Sequence, residues 1–326
     1  MAIISITRIV LATETNINVN SFNTNNRYSS SLRISNTNTN SIINNLLTES
    51  VISSSSSQSI SNILWSLGTI SCPIPEKTLD LIYDRFSLVY KDMNDQAISN
   101  ILIGLLKAGI TWEAIPVMVQ SILCSAICRE CLRMSPQAVC NTLYSLGGLG
   151  ATSNVLTERV ILAVELALRK VCIQMKGRDA SQALIGLATM NIQWSMLSDD
   201  TKDRLSMTIL KRANEWTSAS RSVENRVSTE IVTIVSQIVR MKASWIDLTP
   251  PLKASILLGL QSFHNNIDQN DNNSDGNDDE YIRIIYSFSL LGLPLKSLPV
   301  RIFSFYDLHN LDFIAFRVLL WTVSSV

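Results

Sequence analysis

From residue 57 onward the sequence repeats itself, and repeats near 40 residues confine a chain to stacked supersecondary units. Gln58-Ser-Ile-Ser-Asn-Ile-Leu-Trp-Ser-Leu-Gly68 recurs as Gln96-Ala-Ile-Ser-Asn-Ile-Leu-Ile-Gly-Leu105. It returns as Gln137-Ala-Val-Cys-Asn-Thr-Leu-Tyr-Ser-Leu-Gly147 and as Arg178-Asp-Ala-Ser-Gln-Ala-Leu-Ile-Gly-Leu187, with weaker copies from Thr229, Asp279 and Ile314. Aligned on Asn62, the marker positions are Asn100, Asn141, Gln182, Thr233, Arg283 and Val318, at intervals of 38, 41, 41, 51, 50 and 35 residues.

Each copy carries apolar residues at i, i+3, i+4 and i+7, the stripe of one helical face. In the first copy these are Ile60, Ile63, Leu64 and Leu67; in the second, Ile98, Ile101, Leu102 and Leu105. The stripe continues through Val139, Thr142, Leu143, Leu146 and through Ala180, Ala183, Leu184, Leu187, and Thr142 alone departs from apolar character. The residue before the last stripe position is small (Ser66, Gly104, Ser145, Gly186), which lets neighbouring helices approach closely. A second helix is expected in each unit after a turn rich in Gly or Pro: Glu76 to Tyr90, Ile115 to Cys131, Thr157 to Cys172, Asp200 to Asn214 and Pro250 to Phe263. Ser135 before Pro136, Thr249 before Pro250 and Asp179 with Gln182 supply helix-start chemistry. No segment alternates with period two for long enough to argue for a sheet. The expected fold is all-α, an α-solenoid of about seven two-helix repeats over residues 57–326.

Two stretches fall outside this pattern. Residues 1–56 are rich in Asn, Ser and Thr, bury too little to offset their ordering entropy and are expected to be disordered. Arg8, Arg27 and Arg33 against the single acid Glu14, up to Thr48, suit an organellar transit peptide; a plain low-complexity leader fits equally. Residues 264–280 hold six acids and no base, and are expected to be an exposed disordered insertion. The net charge of zero, from 27 basic and 27 acidic residues, therefore hides a mildly basic remainder. The final apolar helix has no second helix after it, so another chain or further sequence is expected to cover that edge.

Catalytic patterns are missing from the sequence. It contains no GxSxG, Walker, HExxH or paired-carboxylate arrangement, and its two histidines, His264 and His309, lack ligand-spaced partners. Cys124, Cys128 and Cys131 have the CxxxCxxC spacing of an iron–sulfur site. They fall at i, i+4 and i+7 of an expected helix, which spreads them along its axis, so they are read as a packed face. Gly147-Gly148-Leu149-Gly150 follows a helix rather than a strand and reads as a helix end, not a phosphate loop. No enzyme activity, metal or cofactor is expected, and no apolar run reaches the ~18 residues of a membrane span.

What remains is a polar face opposite the stripe. It carries Gln58 and Asn62, then Gln96, Asn100 and Lys107, then Gln137 and Asn141, then Arg178 and Gln182, with Arg240 and Arg283 later. Amides that recur once per helical repeat suit one-repeat-one-base reading of single-stranded RNA. The aromatics Trp65 and Tyr144 (with Tyr286 and Trp321) stand at the neighbouring position, where they would stack on bases. A solvated face with aromatics packed between repeats accounts for the same residues, and a protein-binding scaffold of armadillo or HEAT type is the alternative function.

Asn62-Ile-Leu-Trp-Ser-Leu-Gly68 and Asn141-Thr-Leu-Tyr-Ser-Leu-Gly147 resemble the first helix of the octotricopeptide-repeat family. Pro73-Ile-Pro-Glu76 and Trp112-Glu113 look like partial versions of that family's Pro-Pro-Pro-Glu-Trp link. The resemblance covers residues 57–220 well and the rest loosely. It implies sequence-guided, non-catalytic binding of transcripts in a mitochondrion or plastid, affecting their stability, processing or translation. Nothing in the chain looks like the RAP domain that often ends such proteins.

Overall fold

The computed structural model describes residues 43, 45–70, 73–217, 233–267 and 290–292, with backbone alone at 177–178, 215–217 and 260–267. All regular structure among them is helical. The helices are α1 (Glu49–Ser53), α2 (Ser57–Thr69), α3 (Glu76–Val89), α4 (Asp95–Lys107), α5 (Val117–Glu130) and α6 (Pro136–Leu149). They continue with α7 (Glu158–Val171), α8 (Gly177–Thr189), α9 (Asp199–Thr217), α10 (233–240) and α11 (Pro250–Ile267). Residues 1–167 and 168–326 form two compact units. In the first, α2 packs on α4 and α4 on α6, while α1 packs on α3 and α3 on α5. In the second, α8 packs on α9 and α9 on α11.

Every stripe residue from Ile60 to Leu187 named above is buried, as are Ile234, Val235 and Ile238 on α10. The small position explains how closely the first helices meet. A Cβ on Gly104 would stand 2.5 Å from the Leu64 carbonyl carbon and 2.8 Å from the Trp65 nitrogen, so α4 crosses α2 backbone to backbone. Thr142, the polar exception, is buried with its Oγ1 unpartnered.

Among the described residues, α4, α6, α8, α10 and the helical stretch at 290–291 end the same way. A left-handed residue stands nine positions after the marker: Gly109, Gly150, Asn191 (φ 58), Lys242 (φ 59) and Gly292. The following nitrogen then donates back to the last stripe carbonyl, as in Ala151 N to Leu146 O (2.9 Å) and Ile192 N to Leu187 O (3.0 Å). This is the Schellman arrangement. Lysine is strained there, so Lys242→Gly should raise stability by about 0.5–1 kcal/mol, seen as a higher urea midpoint. An unchanged midpoint would mean that the Lys242 side chain offsets the strain.

The link that follows is a second repeated element. Trp112 and Trp194 are 3% and 1% exposed, and three residues on, Ile115 and Leu197 are buried. Trp112 N donates to Leu149 O (2.6 Å) and Trp194 N to Met241 O (2.8 Å), so each link is tied to the end of the next first helix. Second helices reach backward instead. Arg85 Nε donates to Ser55 O (2.8 Å), and Thr208 Oγ1 to Cys172 O (2.8 Å). Arg129 donates to Tyr90 O (3.1 Å) and Met93 O (2.6 Å) while its Nε holds Glu130 at 2.9 Å.

Several expectations change. The leader drawn to residue 56 is folded at its end: Ile43, Leu47 and Ile52 are buried, and Thr48 and Ser56 cap α1 and α2. Ile42-Ile43, Leu46-Leu47 and Val51-Ile52 recur at near-helical spacing within a segment otherwise rich in Asn and Ser, and α1 packs on α3. Residues 1–42 lie outside the described residues. The insertion drawn from His264 begins later, because α11 runs to Ile267; 268–280 lie outside the described residues, as do the sixth and seventh first helices apart from 290–291. Asp179 sits inside the first turn of α8, where its Oδ2 accepts from Lys176 N (3.0 Å), instead of starting the helix. Thr249 precedes Pro250, but its hydroxyl is buried without a hydrogen-bond partner, so it does not cap through the Leu252 N–H three residues on. Ser135 does cap α6, accepting from Ala138 N at 3.3 Å.

Candidate nucleic-acid interface

Because α2, α4 and α6 pack side by side with their stripes buried, their opposite faces form one surface in the first unit. Four positions per helix reach it, spaced i, i+4, i+7 and i+11. They are Gln58, Asn62, Trp65 and Thr69 on α2; Gln96, Asn100, Ile103 and Lys107 on α4; and Gln137, Asn141, Tyr144 and Gly148 on α6. Gln96, Lys107 and Gln137 are exposed, and Gln58, Asn62, Asn100 and Asn141 are half-buried. Trp65 and Tyr144 are 43% and 38% exposed, so neither ring is buried between repeats. That decides against packing as their whole role. On α2, Gln58 Nε2 donates to Asn62 Oδ1 at 3.0 Å, which fixes the two amides relative to one another. Across the three helices the charged residues are Asp95, at the start of α4 where it accepts from Ser135 N (3.1 Å), and Lys107.

The remaining sequence-derived positions belong to the second unit or beyond. Gln182 is half-buried on α8. Arg240 is exposed at the end of α10 and donates to Gln237 Oε1 at 3.1 Å. Only the backbone of Arg178 is described, and Arg283 lies outside the described residues.

The cysteines sit elsewhere. Cys124 and Cys128 lie along α5 and Cys131 just after it, half-buried, half-buried and buried. Burial, then the neighbouring Cys128, pushes the Cys124 thiol up to about 11; burial also raises Cys128. Cys172 is pushed up to about 12, chiefly by burial. Such thiols stay protonated near neutrality and behave as apolar packing groups. Cys128 and Cys131 line a groove of about 490 Å³ with Arg159, Leu162 and Leu166 of α7. Gly150 closes α6 with φ 87, as the glycine run suggested. Among the described residues no helix is long and apolar enough to cross a membrane.

Of the link tryptophans, the sequence singled out Trp112, in Trp112-Glu113, but neither Trp194 nor Trp245. Trp112, Trp194 and Trp245 stand twelve positions after their markers, three residues before Ile115, Leu197 and Leu248. Counting from the marker would have found them. The chain matches no protein-family model and no curated protein.

Proposed function

We propose that the chain is a non-catalytic helical-repeat protein that binds single-stranded RNA along the face of α2, α4 and α6, acting on transcripts in a mitochondrion or plastid. The observation that carries this is the row of Gln–Asn pairs on three consecutive packed helices, flanked by the exposed rings of Trp65 and Tyr144. Amides supply donors and acceptors for base edges, and aromatic rings supply sequence-tolerant stacking. By sequence register, the positions of the second unit that correspond to these are Arg178, Gln182, Arg240 and Arg283. Its few cations set the electrostatics. With Lys107 and those three arginines, the salt slope for single strands should not exceed about −3.

Fluorescence anisotropy of the full chain with a short labelled single-stranded RNA tests this. Binding at low salt is expected, with double-stranded RNA of the same length much weaker. Trp65→Ala with Tyr144→Ala should cost ten-fold or more, from ~1–3 kcal/mol per stacked base. No binding at low salt, or an affinity indifferent to both aromatics, would reject the reading. The exposed Val117 and Met118 on α5 and Leu162 and Leu166 on α7 favour a second reading, a protein-binding scaffold. Under that reading, serine at Val117 and Met118 abolishes partner binding while RNA affinity stays negligible throughout.

A further inference from the structure

Resting on the RNA-binding reading, we infer that the first unit reads a run of one base, and that the base is adenine. The reason is repetition at the level of the contact atoms. Discrimination between bases requires different side chains at successive steps, as the helical-repeat readers of RNA use two or three side chains per base. Here the three stacked helices offer the same pair each time: Gln58 and Asn62, Gln96 and Asn100, Gln137 and Asn141. They share one sequence register, and the small positions Ser66, Gly104 and Ser145 of that register are all buried. Identical readers in identical register select identical bases.

The Gln58–Asn62 pair shows which edge fits. The 3.0 Å bond occupies one Gln58 Nε2 proton and the Asn62 Oδ1 acceptor. Gln58 Oε1 and the Asn62 Nδ2 protons then remain on the two adjoining amides as an acceptor beside a donor. Adenine presents the complement, its N6 amino donor beside a ring-nitrogen acceptor, as cytosine does with N4 and N3, and an Asn or Gln amide is adenine's usual bidentate partner. A two-ring base also offers the larger face to Trp65 and Tyr144, which stand over the first and third steps. The near-neutral face, with Lys107 near the end of α4, leaves selection to these contacts instead of to phosphate.

Competition binding by the full chain among oligo-A, oligo-U, oligo-C and a mixed sequence of equal length tests the inference. Oligo-A should bind at least about ten-fold more tightly than the mixed sequence, since each bidentate pair discriminates by about ten-fold or more. Asn62→Ser, Asn100→Ser and Asn141→Ser together should bring oligo-A to the affinity of the mixed sequence while leaving helicity by circular dichroism unchanged. If all four RNAs bind with equal affinity, or another homopolymer is preferred, the inference is overturned while RNA binding itself stands. If none binds at low salt, both fail.

Discussion

Gly104→Ala should lower stability by about 2 kcal/mol, whereas Gly148→Ala should leave it unchanged or raise it slightly. Both substitutions place a methyl on a first helix, and both gain up to about 1 kcal/mol of helix propensity. What differs is the neighbour. At Gly104 the new Cβ would meet the Leu64 carbonyl carbon at 2.5 Å, the Leu64 oxygen at 2.6 Å and the Trp65 nitrogen at 2.8 Å, all backbone atoms of α2. No rotamer change relieves that contact, so α2 and α4 must part, and overpacking of this kind costs ~1–3 kcal/mol or more. At Gly148 the neighbours are the Leu106 methyl ends at 2.8 Å, which can turn away. Gly68→Ala, facing the Gly104 oxygen at 2.6 Å, should behave like Gly104→Ala. Urea melts of the three variants check the order; a Gly104→Ala midpoint equal to that of Gly148→Ala would mean that the two helices are not in backbone contact.

The larger effect is expected at Trp194. Its side chain is 1% exposed, its Nε1 donates to Asp247 O at 3.3 Å, and its backbone nitrogen donates to Met241 O. Trp194→Ala should therefore cost about 3–5 kcal/mol, the range for emptying a buried aromatic site. It would also leave the Asp247 carbonyl without that donor. Trp245, its counterpart in the next link, is half-buried with Lys253 Nζ 5.7 Å from the ring centroid, and its replacement should cost under about 2 kcal/mol. Thermal melts of the two variants decide it. Equal losses would show that burial of the link tryptophan is not what ties successive links together.

The helices were legible in the sequence and the links only in part, for a physical reason. A first helix declares itself because its buried positions recur every three or four residues, so Ile60, Ile63, Leu64 and Leu67 are visible without a structure. The polar face was legible by subtraction, and Gln58, Asn62, Gln96, Asn100, Gln137 and Asn141 all reach the surface of one packed layer. A link has no period. Trp112 and Trp194 are single residues whose burial depends on helices distant in sequence, and Ser153 replaces tryptophan in the repeat between them. The folded end of the leader was passed over for its Asn- and Ser-rich composition, although Ile43 and Leu47 stand one helical turn apart. Backward ties such as Arg129 to the Met93 carbonyl were out of reach, since nothing local marks an arginine that will bond 36 positions away.

Whether RNA sits on the first-helix face is tested most directly by crosslinking. The full chain is irradiated with single-stranded RNA in the ultraviolet, and the crosslinked peptides are identified by mass spectrometry. RNA seated as proposed gives crosslinks at Trp65 and Tyr144, with Lys107 among them. Crosslinks confined to α3, α5 and α7, with none on α2, α4 or α6, would contradict it.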